Sequence, residues 1–192
     1  MRTVFRIETP SLVLRPLVLG DTQRMLEMSQ EDCARQWLPS QVYRDERHAA
    51  HSDRVSDRSV QLGSPARQRM RSSLGLRRKL TGRLIGHVGL SPLFDTVEVG
   101  FGIATSEQRK GYATEGVAEV CAWGLERFSL PAIVGVTDEE NVASQRVLIR
   151  CGFSRKEEKM MRLQGVDRPG IIFEIRKQGA QPAPPQRSRN IS

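Results

Sequence analysis

Apolar positions follow two periods along this chain, and their succession orders its elements. Residues 11–19 (SLVLRPLVL) alternate imperfectly and stop at Gly20-Asp21, which predicts a strand, a turn and a helix start. Met25, Leu26 and Met28 recur at helical spacing within residues 21–31, and Trp37, Leu38 and Pro39 close that helical region. Residues 84–90 (LIGHVGL) and 97–104 (VEVGFGIA) read as an antiparallel strand pair joined by a turn containing Pro92 and Asp95. Successive side chains of a strand alternate, so Val97, Val99, Phe101 and Ile103 share a core face. Glu98, Gly100, Gly102 and Ala104 form the other face, an open floor carrying one carboxylate. Glycines inside a strand weaken it and mark places where a ligand or another backbone comes close.

Beyond this pair, Ala113, Val117, Val120, Cys121, Leu125 and Phe128 make one stripe of an amphipathic helix. Residues 132–137 (AIVGVT) predict a further strand, followed by a helix with Ala143, Val147 and Leu148 inward and a stop at Gly152. Residues 160–163 and 171–175 flank GVDRPG as a hairpin, and QGAQPAPPQRSRNIS is a Pro-rich tail. Between Arg44 and Lys79 the aliphatic residues fit neither period, and no element is assigned there. The organisation expected is a single domain over residues 1–177, irregular at 44–79, with a disordered tail at 178–192.

Charge refines this picture. The 192 residues carry a net charge of +8, which invites a nucleic-acid reading, but the surplus is local. Residues 44–79 hold ten basic and four acidic residues, and residues 176–192 hold four basic and no acidic ones. The periodic parts of the chain therefore have no basic field of their own, and nucleic acid is not the expected partner. No apolar run long enough to span a membrane occurs, and the start lacks a signal-peptide core. Cys33, Cys121 and Cys151 never form CxxC, and His48, His51 and His87 complete no zinc pattern. A reduced cytoplasmic setting without metal or membrane is expected.

The informative chemistry is Gln108-Arg109-Lys110-Gly111-Tyr112-Ala113, between a strand end and a helix start. First-turn N–H groups have no intrahelical acceptors, and the helix dipole adds positive potential, so such a turn can hold a pyrophosphate. Gly111 lets the chain come close and Ala113 keeps the approach open. Neither the Walker loop nor the GxGxxG fingerprint is present.

QRKGYA resembles the pyrophosphate loop of the GNAT superfamily of acetyl-CoA-dependent N-acetyltransferases, Gln/Arg-x-x-Gly-x-Gly/Ala. Leu12-Val13-Leu14-Arg15-Pro16, Leu84-Ile85-Gly86, Glu98-Val99-Gly100-Phe101, Asn141-Val142-Ala143-Ser144 and Cys151-Gly152-Phe153 extend the likeness to about residues 9–175, outside 44–79. Together they are similar to the subgroup of bacterial ribosomal-protein N-terminal acetyltransferases. The resemblance implies an α/β fold: a mixed twisted sheet, flanked by helices, whose parallel strand pair splays near Ala104 and Thr137. It also implies acetyl-CoA as acetyl donor, with backbone groups near Ile103 and Thr105 pairing with the pantetheine arm. Gln108, Arg109, Lys110, Gly111, Tyr112, Ala113 and Thr114 would then hold the pyrophosphate, and Asn141 would bond the arm.

By the same resemblance Glu98 matches the general base that removes a proton from the attacking ammonium, and Ser144 matches a proton donor to the leaving thiolate. Many members place a Tyr where this chain has Leu148. The chemistry otherwise asks for proximity and for N–H groups facing a developing oxyanion. On the residues alone, Asn141 and Ser144 equally suit a helix start, and Glu98 a solvated sheet face. The function expected is acetyl transfer to a primary amine, a protein N-terminus or a small molecule, by a monomer or homodimer. A catalytically inactive acetyl-CoA-binding domain and a basic nucleic-acid-binding protein are the alternatives.

Overall fold

The computed structural model describes residues 5–52, 72–93 and 95–177. Eight strands form one sheet: β1 (Ile7–Glu8), β2 (Leu12–Pro16), β3 (Ser72–Arg78), β4 (Leu84–Leu93), β5 (Thr96–Ile103), β6 (Ala132–Asp138), β7 (Ser154–Leu163) and β8 (Val166–Arg176). Their order is β1-β2-β3-β4-β5-β6-β8-β7. The helices are α1 (Thr22–Ser29), α2 (Asp32–Trp37), α3 (Glu46–Ala50), α4 (Tyr112–Arg127) and α5 (Val142–Arg150).

Strand alternation gives the sheet two apolar faces, and each is covered. Leu12, Leu76, Val97, Val99, Ile133 and Phe173 pack with Val117, Val120 and Cys121 of α4 and Leu148 of α5. Leu17 and Leu84 pack on the other side with Met25 of α1, Tyr43 and Ala49 of α3. Each fully buried aliphatic side chain contributes about 1.5–3 kcal/mol, so these two layers hold the sheet between them. Among the described residues no helix is long and apolar enough to cross a membrane.

One seam in the sheet matters for function. β5 and β6 are joined through α4 and run parallel, as a helical crossover requires. They pair at Glu98 and Val134. Beyond that point β5 keeps β4 on its outer side, with His87 opposite Gly102 and Gly86 opposite Ile103. β6 instead follows β8, with Thr137 opposite Ile171. The two strands thus part towards Ile103 and Thr137, and backbone groups on the inner edges lose their sheet partners. This is the splayed pair that the resemblance implied.

Three expectations need correction. Within residues 44–79 the chain does form elements, α3 and β3, while residues 53–71 lie outside the described residues, as does the disordered tail expected at 178–192. β3 escaped the alternation rule because its second face is also packed: a Cβ on Gly75 would lie 2.8 Å from side-chain atoms of both Leu17 and Leu84. The hairpin is longer than expected and turns earlier, at Gln164-Gly165, where φ is +52° and +86°. Two consecutive positive φ angles close a two-residue hairpin tightly, so VDRPG continues as strand. Ala143 is exposed, whereas Val147 and Leu148 face inward as expected and Ser144, one turn before Leu148, is half-buried.

Candidate active site

A cleft of about 1010 Å³ runs through the seam, lined by Glu98, Gly100, Gly102 and Ile103 of β5 and by Val136 and Thr137 of β6. Glu98 lies on the face opposite Val97 and Val99, which belong to the α4 layer, and so looks towards α1 and α2. A Cβ on Gly102 of the same face would meet Leu38 at 3.1 Å and His87 at 2.8 Å, which fixes that side of the cleft. The floor is not open at Glu98. Its backbone stands between Ser91 of β4 and Val134 of β6, the carboxyl is half-buried, and burial pushes its pKa from 4.5 up to about 7. Among the described residues no cation pairs with it.

Downstream of β5 the chain turns through residues 104–111 into α4. Arg109 and Gly111 both have positive φ, +62° and +87°, which bends successive N–H groups inward. Gly111 is the N-cap of α4 and no side chain caps that helix. The first-turn N–H groups of Tyr112, Ala113 and Thr114 thus face outward at the positive end of a sixteen-residue helix. Gln108 and Arg109 line the cleft. Lys110 instead holds the loop, donating to the Ser106 carbonyl (2.7 Å) and to Glu107 (3.0 Å). Thr105 donates its N–H (2.6 Å) and hydroxyl (2.7 Å) to Glu31, and Gln108 Nε2 donates to the Ile103 carbonyl (3.1 Å). The backbone groups at Ile103 and Thr105 therefore already have partners that a ligand would exchange.

The third wall is the start of α5. Asn141 Oδ1 accepts from the Ser144 N–H at 3.1 Å and caps the helix, and both side chains line the cleft. Cys121 and Cys151 have thiols raised by burial, in keeping with packing roles. Two lining residues were not among the site residues expected from the sequence: Gln41 and Thr137, whose buried Oε1 and Oγ1 have no hydrogen-bond partner among the described residues. Orphaned polar atoms are invisible in a sequence, because they are defined by what does not reach them. Trp37 and Tyr43 also line the cleft, and Tyr43 is buried there. Among the described residues no cluster of His, Cys, Asp or Glu could hold a metal.

Solved acetyltransferases share this architecture. A structure of a putative ribosomal-protein-serine acetyltransferase from Vibrio cholerae superposes with a TM-score of 0.74 at 22% identity, covering 92% of this chain and 100% of that one. A GNAT-family acetyltransferase from Bacillus anthracis gives 0.73 at 18% identity, over 90% and 98%. Residues 11–154, well over half the chain, match the family model for the acetyltransferase (GNAT) domain, and the chain belongs to that family. In sequence it is 24% identical to the uncharacterized N-acetyltransferase YnaD of Bacillus subtilis (strain 168) over 152 residues, 78% of this chain and 83% of that protein. It is 32% identical to YoaA of the same organism over 85 residues, 43% of this chain and about half (48%) of YoaA.

Proposed function

We propose that the chain transfers an acetyl group from acetyl-CoA to a primary amine, either a protein N-terminus or a small molecule. The observation that carries this reading is that the cleft is lined from both faces of the sheet. Glu98 stands on the face of α1 and α2, whereas Thr137 follows Ile133 and Gly135 on the α5 face. An amine and an acyl donor can therefore meet in the gap between β5 and β6 without competing for one wall. We read residues 1–177 as one catalytic domain, because the described residues share one sheet.

The residues fit such a donor: an uncapped helix start suits its pyrophosphate, and an orphaned buried hydroxyl suits its uncharged arm. Acetyl-CoA, when bound, supplies an acetyl group activated as a thioester whose sulfur departs as a thiol. In this reading the N–H groups of Gly111, Tyr112, Ala113 and Thr114 take the pyrophosphate, with Gln108, Arg109 and Lys110 shaping the loop. Backbone groups of Ile103 and Thr105 take the arm after Gln108 and Glu31 release them. Asn141, its Oδ1 committed to the cap, offers its amide donors.

Glu98 is the general base. Its pKa of about 7 leaves much of it ionised at neutral pH while keeping it basic enough to take a proton from an ammonium. The amine nitrogen then forms the new bond to the acetyl carbon as the carbon–sulfur bond breaks. Ser144 is the proton donor to the departing sulfur, since Leu148, one turn further, has no proton to give. Calorimetric titration with acetyl-CoA, followed by thiol release on a panel of amines and peptides, tests the reading. Binding with turnover supports it; binding without turnover on any acceptor makes the chain an inactive acetyl-CoA-binding domain. No binding removes the donor altogether.

A further inference from the structure

We propose that the Thr137 hydroxyl is a binding group for the uncharged arm of the acyl donor, the stretch of amides and thioester between its phosphates and its acetyl group. The inference rests on the acetyl-CoA reading above. Thr137 is 5% exposed, its Oγ1 is fully buried, and no hydrogen-bond partner reaches it among the described residues. A buried hydroxyl without a partner is destabilising, and valine has the same shape without that cost. The hydroxyl is therefore useful to something absent from the free protein.

Its position says what that is. Thr137 is paired through its backbone with Ile171 of β8, at the end of β6 from which β5 has already departed. Two-residue alternation puts its side chain on the face of Ile133 and Gly135, and a Cβ on Gly135 would lie 2.7 Å from Leu148 of α5. Thr137 thus lines the cleft on the α5 side, with Asn141 and Ser144, and away from the Glu98 face where the amine enters. The adjacent Asp138 carboxylate is held by Arg168 at 2.9 Å. A hydroxyl donates one hydrogen bond and accepts two, which suits an amide or thioester. The phosphates have the uncapped start of α4.

Thr137→Val and Thr137→Ser separate the possibilities. Each variant is melted without ligand and titrated by calorimetry with acetyl-CoA and with adenosine 3′,5′-diphosphate, which carries phosphates but no arm. Thr137→Val is expected to melt no lower than the parent, to bind acetyl-CoA roughly 5–10-fold more weakly, and to bind the diphosphate unchanged. Thr137→Ser keeps the hydroxyl and is expected to keep the parent affinity. The proposal fails if Thr137→Val lowers the melting temperature, since the hydroxyl then serves the fold. It also fails if acetyl-CoA affinity is unaltered, or if both ligands weaken equally. Failure of the parent chain to bind acetyl-CoA would sink the functional reading itself, a result distinct from these.

Discussion

Glu98 is half-buried because it occupies the last place on β5 where strands stand on both sides, and two residues later Gly100 is exposed. The sequence pattern put both on one face and could not separate them, since the difference lies in where β6 turns away. Two effects follow from a pKa raised from 4.5 to about 7. If Glu98 is the base, kcat/KM for the free enzyme rises with pH through about 7 and then levels, and Glu98→Gln removes that limb. The same shift bears on stability with a defined sign. The folded state keeps a proton that the unfolded chain releases above about pH 4.5, so the contribution is present at low pH and lost as pH rises towards 7. Glu98→Gln is therefore expected to match the parent at pH 4 and to exceed it at pH 8, by on the order of 1–3 kcal/mol in chemical denaturation. Equal stability at both values would mean that the carboxyl is solvated.

At the scale of elements, the start of α4 depends on the left-handed conformation of Gly111, φ +87° and ψ −11°. A Cβ there would meet nothing within 4 Å, so the penalty of Gly111→Ala is conformational and amounts to about 1 kcal/mol. Relieving that strain re-aims the first-turn N–H groups, and acetyl-CoA affinity is expected to fall by more than the stability loss alone explains. Gly20→Ala, also free of contacts but without a positive φ, is the control and should change neither calorimetric affinity nor unfolding. The loop and both flanking elements were legible because QRKGYA sits where strand periodicity gives way to helical periodicity. Other elements were not legible, for reasons of length and packing. α3 spans five residues, too few for a helical stripe, although Asp45 caps it by accepting from the His48 N–H at 2.7 Å. β3 carries a glycine where alternation expects a polar residue, and its Arg77 belongs to a buried network. There Asp21, 3% exposed, accepts from Arg15 (2.8 Å) and Arg77 (2.7 Å). An arginine-rich stretch to which the pattern assigned no element is thus partly committed to a carboxylate fifty-six positions away.

For the whole molecule, the sheet's outer edges are blunted while an inner seam stays open. β1 is two residues long, and β7 presents Arg155, Lys156, Glu157, Glu158 and Lys159 with an irregularity between Arg155 and Glu157. Between β5 and β6 the sheet is joined at Glu98 and Val134, and the two halves are otherwise held by the shared core beneath α4 and α5. A ligand lying in that seam would complete hydrogen bonding the strands leave unmade, and so would act as a missing strand. Acetyl-CoA is therefore expected to stabilise the fold by about 2.7 kcal/mol at a hundred times its Kd. Amide exchange should slow most at residues 100–103 and 135–137, and less in β3 and β4, which are paired with strands on both sides. Protection spread evenly over the sheet would place the ligand outside the seam, and would remove the reason for reading the gap between β5 and β6 as the place where acetyl group and amine meet.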